Sequence, residues 1–158
     1  MEAPMIDDEL EEITDVGSFN HATIQANLAY VFKKTGNFTV TSDLSLDLGD
    51  LDLSKFDLRL RKEIKPDICV YPKRKLNPGR DILRMSEMPL LAIEILSPRQ
   101  GLYEIMEKFK VYFELGIKTC WLVIPSTETV TVYTTLDTFH NCLHYSRYIP
   151  YVYGGQCT

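Results

Sequence analysis

The chain has 158 residues, enough for one domain with a sizeable core and too few for two comfortable ones. A composition of 45% hydrophobic and 25% charged residues excludes the disordered, collagen-like and coiled-coil classes. The formal charge of −5 argues at first against a nucleic-acid partner, but it is unevenly placed. Glu2, Asp7, Asp8, Glu9, Glu11, Glu12 and Asp15 put seven acids in the first fifteen residues, and the rest of the chain carries fifteen acidic against seventeen basic residues.

Residues 1–17 therefore read as an acidic, solvated arm, and 18–158 as a single domain without internal repeats or a linker. From Asn20 to about Lys34, Ile24, Leu28, Val31 and Phe32 recur at helical spacing, with Ser18 or Asn20 as N-cap and Gly36 as the stop. From Phe38 to Leu53 apolar and polar residues alternate, which predicts half-exposed strands joined by a turn at Gly49. Ile68–Tyr71 is a short strand between two prolines. Lys73–Glu87, with Asn77-Pro78-Gly79, is a loop.

The run Pro89–Leu96 is almost wholly apolar and predicts a central strand buried on both faces. Ser97-Pro98-Arg99-Gln100 has capping-box spacing with proline at the first helical position. Leu102, Ile105, Met106, Phe109 and Phe113 trace one face of the following helix, with Gly101 weakening its first turn and Gly116 ending it. Thr119–Ile124 is a second buried strand, Glu128–Thr135 pairs with it after a turn at Pro125, and Phe139–Tyr153 is an aromatic, extended tail. The order predicts an α/β (α+β) domain with a mixed central sheet flanked by helices. No apolar run approaches the roughly 18–20 residues of a membrane span, and the acidic N-terminus lacks a signal peptide. Cys69, Cys120, Cys142 and Cys157 show no CxxC spacing, so they read as reduced, packed thiols of a cytoplasmic protein.

Glu94 is the most informative residue, because it is the only charge in its buried run. A lone carboxylate there costs several kcal/mol unless it binds a cation or takes strong hydrogen bonds. Strand periodicity places Ala92, Glu94 and Leu96 on one face and Leu91, Ile93 and Ile95 on the other. Asp67 opens a strand after Pro66, and alone it reads as a turn residue. Paired with Glu94 on an adjacent strand it makes a hard oxygen site suited to Mg²⁺ or Mn²⁺. Lys108 falls on the margin of the helix's buried face together with Glu104 and Tyr112, and can bend toward that site; Lys110 lies on the opposite margin. The segment 59–84 carries nine basic residues against three acidic ones, a phosphate-tracking surface around Asp67. His140, Cys142 and His144 share one strand face but lack a fourth ligand for zinc.

Pro66-Asp67, Glu94-Ile95-Leu96-Ser97-Pro98, Lys108 through Tyr112, Gly116-Ile117 and Trp121 through Pro125 together resemble the Uma family of bacterial restriction-endonuclease-like proteins, in the PD-(D/E)XK nuclease superfamily. The resemblance spans roughly 18–135 and is most specific over 91–125. It implies a restriction endonuclease-like fold and a metal-dependent endonuclease acting on DNA, working as a homodimer because double-strand cutting needs two sites. Asp67, Glu94 and Lys108 would be catalytic, and Asp67, Glu94 and the Ile95 carbonyl would hold Mg²⁺ or Mn²⁺. Lys108 takes the place of the superfamily's usual lysine, two residues after the acid, where this chain has Leu96. His21, Arg74, Lys75, Arg99 and Tyr112 are the expected substrate contacts. Arg99-Gln100 replaces the family's Ser-Thr, Glu104 replaces an Asp, and the C-terminus lacks the usual closing strands. These departures keep open a catalytically silent nuclease-fold module that binds a protein or nucleic acid.

Overall fold

The computed structural model describes residues 17–60 and 62–142. Helix α1 (Phe19–Lys34) follows an N-cap at Ser18, whose hydroxyl accepts the His21 N–H at 3.3 Å. Lys33 and Lys34 in its last turn suit the negative end of the helix dipole. Strand β1 (Phe38–Ser42) follows, then β2 (Leu46–Asp47), β3 (Glu63–Ile64), β4 (Ile68–Pro72), β5 (Leu91–Ile95), helix α2 (Leu102–Glu114), β6 (Thr119–Ile124), β7 (Thr129–Tyr133) and β8 (Phe139–Cys142).

Six strands form one mixed sheet in the order β1-β4-β5-β6-β7-β8. Only the β5–β6 pair is parallel, and α2 is its crossover. One face buries Ile68, Val70, Leu91, Ile93 and Ile95 against Ile24 and Leu28 of α1. The other packs Cys69, Tyr71, Ala92, Cys120 and Leu122 against Ile105, Phe109 and Tyr112 of α2, and against Leu46 and Ile64 of the small β2–β3 sheet. The continuous apolar run of β5 therefore serves two cores, one on each face. Burial pushes the Cys69 thiol up to about 12 and raises Cys120 as well, so both pack as protonated thiols.

Three local expectations are corrected. Leu51 and Leu53 do not form a second strand: Leu53–Lys55 is a 3₁₀ turn capped by the Asp52 carboxylate, and β2 pairs with β3 instead. The serine at 97 does not cap α2. Ser97–Gln100 closes a turn through the Gln100 N–H and Ser97 carbonyl (3.1 Å), and the helix starts at Leu102 with Gly101 as a cap that has no side chain. Leu102 is half exposed instead of lying on the buried face, because that face is centred on Ile105, Phe109 and Tyr112. The segment beyond Cys142, including His144 and most of the predicted extended tail, lies outside the described residues, as do residues 1–16 of the acidic arm.

At the other end of α2, the Ile117 N–H bonds the Tyr112 carbonyl (3.0 Å) and the Gly116 N–H bonds that of Phe113 (3.0 Å), with Gly116 at φ +94°. This is the left-handed helix termination that glycine alone adopts without strain, and it fixes where Lys108 and Tyr112 stand. A methyl group at 116 would meet no neighbour within 4 Å, so its cost is backbone strain only. Gly116→Ala should lower the unfolding free energy by about 1 kcal/mol, measurable by urea denaturation.

Candidate active site

Glu94 sits on β5 with its side chain toward α2 and is 1% exposed. Lys108 and Tyr112, one helical turn apart, both reach it. The Lys108 ammonium lies 3.1 Å from Oε1 and 3.0 Å from Oε2, and the Tyr112 hydroxyl donates to Oε1. Burial pushes the Glu94 carboxyl up to about 7, with Lys108 opposing and Asp67 adding to the rise. Burial alone would depress the Lys108 ammonium, but the Glu94 carboxylate more than reverses this and holds it above its ordinary value. The pair is therefore a mutually dependent unit.

Asp67 stands immediately before β4. The antiparallel register pairs Ile68 with Ile93, so one step further brings Asp67 opposite Glu94, where side chains share a face. Its Oδ2 accepts the Ile95 N–H at 2.6 Å and lies 3.2 Å from His21 Nε2. The hydrogen bond that the imidazole donates to the Asp67 carboxylate raises His21 above 6.5 against the opposing effect of burial. His21 occupies the first turn of α1 because Ser18 caps that turn. One turn later Gln25 donates to the Asp67 carbonyl at 2.8 Å and to Asp43 Oδ1 at 3.3 Å. The Asp43 N–H bonds the same carbonyl at 3.2 Å. Asp67 is thus held at both its carboxylate and its backbone.

These groups line a cleft of about 610 Å³ whose walls include His21, Asp67, Glu94, Arg99 and Lys108. Among the described residues of the basic segment, Lys65 is the one whose positive side chain lines it. The other expected substrate contacts divide differently. Tyr112 is fully buried behind Glu94, so it holds that carboxylate and does not face the cleft. Arg74 and Lys75 lie past the far end of β4 from Asp67. Arg74 makes a two-pronged ion pair with Glu87 (2.8 Å each) over the Tyr71 ring, and neither residue lines the cleft. Ile95 contributes its N–H to Asp67 and is itself fully buried. Gln25 and Asp43 were missed from sequence, although Gln25 follows His21 by four residues and so shares its helix face.

Among the described residues no group of three or more His, Cys, Asp or Glu side chains forms a ready-made metal cage. Two facing carboxylates in a polar cleft are nevertheless the hard oxygen donors that Mg²⁺ accepts when water completes its shell. The donor chemistry fits such an ion, provided Lys108 gives up at least one Glu94 oxygen. No helix among the described residues is long and apolar enough to cross a membrane.

Comparison with known proteins agrees with this architecture. A family model named Uma2, described as "Putative restriction endonuclease", matches residues 2–145, and the chain belongs to that family. The crystal structure of "a putative nuclease belonging to DUF820" from Anabaena variabilis ATCC 29413 is similar, with a TM-score of 0.61 at 22% identity. The alignment covers 78% of this chain and 67% of that one, and it shows a shared fold. No curated protein matches the chain.

Because the His21 imidazole is raised by Asp67, its proton stabilises the fold fully below pH 6.5, and this contribution is lost as pH rises through the folded value. Asp67→Asn should move the His21 titration, followed by NMR, to lower pH and flatten that part of the stability profile. An unmoved His21 would contradict the pairing.

Proposed function

We propose that this chain is a metal-dependent endonuclease that hydrolyses DNA phosphodiester bonds. Asp67, Glu94 and Lys108 would do the chemistry. The observation that carries the reading is the convergence of these three side chains, from the residue leading into β4, from β5 and from α2, on one polar cleft. Asp67 and Glu94 would hold Mg²⁺ or Mn²⁺, with the Ile95 carbonyl as a further donor. The ion supplies Lewis acidity that makes water a nucleophile near neutral pH and offsets charge building on the phosphate.

The remaining work falls to the chain's own groups. Tyr112 keeps Glu94 in one rotamer from behind. Lys108, released from one Glu94 oxygen, orients the attacking water and neutralises a non-bridging phosphate oxygen. His21, held beside Asp67, and Arg99 and Lys65 on the rim hold flanking phosphates. As a homodimer, two copies of the chain would bring two such clefts to one DNA substrate.

A second reading is favoured by one specific observation: both Glu94 oxygens are already taken by protein donors. A catalytically silent module that retains the nuclease fold to bind nucleic acid or protein would look like this. Cleavage of supercoiled plasmid and of single-stranded DNA with Mg²⁺ or Mn²⁺ separates the two. The enzyme reading expects Asp67→Asn, Glu94→Gln and Lys108→Ala each to lower the rate by about 100-fold or more. Equal cleavage by wild type and all three variants would remove these residues from the mechanism.

A further inference from the structure

Phe19 is 84% exposed at the first turn of α1 and belongs to neither core cluster. Leaving a phenyl ring in water forfeits the apolar stabilisation that burial would supply, yet no core element covers it. The ring forms one wall of a groove of about 570 Å³ whose other apolar walls are Leu96, Pro98 and Pro125, with the amides of Asn20 and Gln100 at the rim. Pro98 and Pro125 are rigid, so the groove is set by backbone that moves little.

The groove adjoins the cleft and shares walls with it. Ser97 and Gln100 line both. A small depression formed by Ser18, Ser97, Pro98 and Arg99 shares Ser18, Ser97 and Pro98 with the groove and Ser97 and Arg99 with the cleft. From the carboxylates outward the surface therefore runs from paired acids, through a guanidinium, to an aromatic slot edged by amides. That sequence of chemistries matches a nucleotide chain: a phosphate at the ion the acids would hold, a neighbouring phosphate or sugar at the guanidinium, and a base on the ring. Amide side chains at the rim can donate to and accept from a base edge.

We infer that Phe19, with Leu96, Pro98 and Pro125, forms a nucleobase-stacking subsite beside the cleft, so that the substrate is held with an unpaired base next to the scissile phosphate. The inference rests on the nuclease reading and specifies its substrate. A base can stack on Phe19 only when one of its faces is free. The preferred ligand is therefore single-stranded DNA, or a duplex with an unpaired nucleotide at the cut, and a fully paired duplex fits less well.

The test uses the full chain in buffer with Ca²⁺, a hard divalent ion that carboxylates accept, and a short fluorescein-labelled single-stranded oligonucleotide, read by anisotropy. Phe19→Ala should weaken binding about tenfold or more, while Phe19→Trp should restore it to within about twofold. The exposed position makes misfolding of either variant a minor concern, and a circular-dichroism melt checks it. The indole introduced by Phe19→Trp should lose emission as oligonucleotide is added, whereas the emission of Trp121 in the wild type should stay unchanged. A blunt duplex of the same sequence should show a smaller Phe19→Ala effect. Equal binding by wild type and Phe19→Ala would overturn the subsite, and so would an introduced indole that is already blue-shifted and does not respond to DNA. If the wild type still cleaves with Mg²⁺ in either case, the nuclease reading survives alone. If the wild type neither binds nor cleaves, both readings fall.

Discussion

A carboxylate in the middle of a six-stranded sheet is the constraint on which the rest of the molecule depends. Glu94 lies between β4 and β6, under α2 and almost without access to water. Removing one of its partners would leave a buried charge uncompensated, at a cost of several kcal/mol. The fold meets this demand with one helix turn, since Lys108 and Tyr112 both point back from α2. That requires α2 to cross the sheet in one register. The parallel β5–β6 pairing, the Gly116 termination and the Phe109–Tyr133 ring contact at 5.3 Å all act to hold it there. Replacing Glu94 by an apolar residue of similar volume would relieve the constraint, so its presence is better explained by chemistry than by stability.

Asp67 is held by different means. It lies at the mouth of the cleft, its carboxylate takes a backbone N–H from β5 and an imidazole from α1, and its carbonyl takes Gln25 and Asp43. Elements on both faces of the sheet thus meet at one strand end. Glu94 is almost wholly buried and raised, Asp67 is partly exposed and held by a backbone N–H and an imidazole, and the two face each other. Unequal environments for two neighbouring acids are the usual mark of groups tuned for a reaction.

Much of this was legible in the sequence, and for identifiable reasons. Glu94 stands out because one charge interrupts an apolar run, and the strand period alone gives its face. Lys108 follows from the 100° step of the helix, and α1 from its Ser18 cap and Ile24–Leu28 spacing. What stayed hidden depends on long-range packing. Leu51 and Leu53 alternate like a strand, but the Asp52 carboxylate between them caps a 3₁₀ turn at Leu53–Lys55. Tyr112 shares a helix margin with Lys108, and only the depth of the α2–sheet contact decides that it supports the carboxylate from behind. Arg74 and Lys75 are close to Asp67 in sequence but separated from it by the whole of β4. The net charge of −5 likewise describes no surface, since seven acids precede the described domain while the cleft itself mixes His21, Lys65, Arg99 and Lys108 with Asp43, Asp67, Glu94 and Glu104.

The central claim is that Asp67 and Glu94 form one divalent-cation site for which the Lys108 ammonium competes. Calorimetric titration with Mn²⁺, which reports binding independently of any turnover, addresses it directly. The account predicts one site per chain in the wild type, its loss in the Asp67→Asn/Glu94→Gln double variant, and altered affinity in Lys108→Ala. Binding of Mn²⁺ to the double variant with wild-type affinity would contradict it.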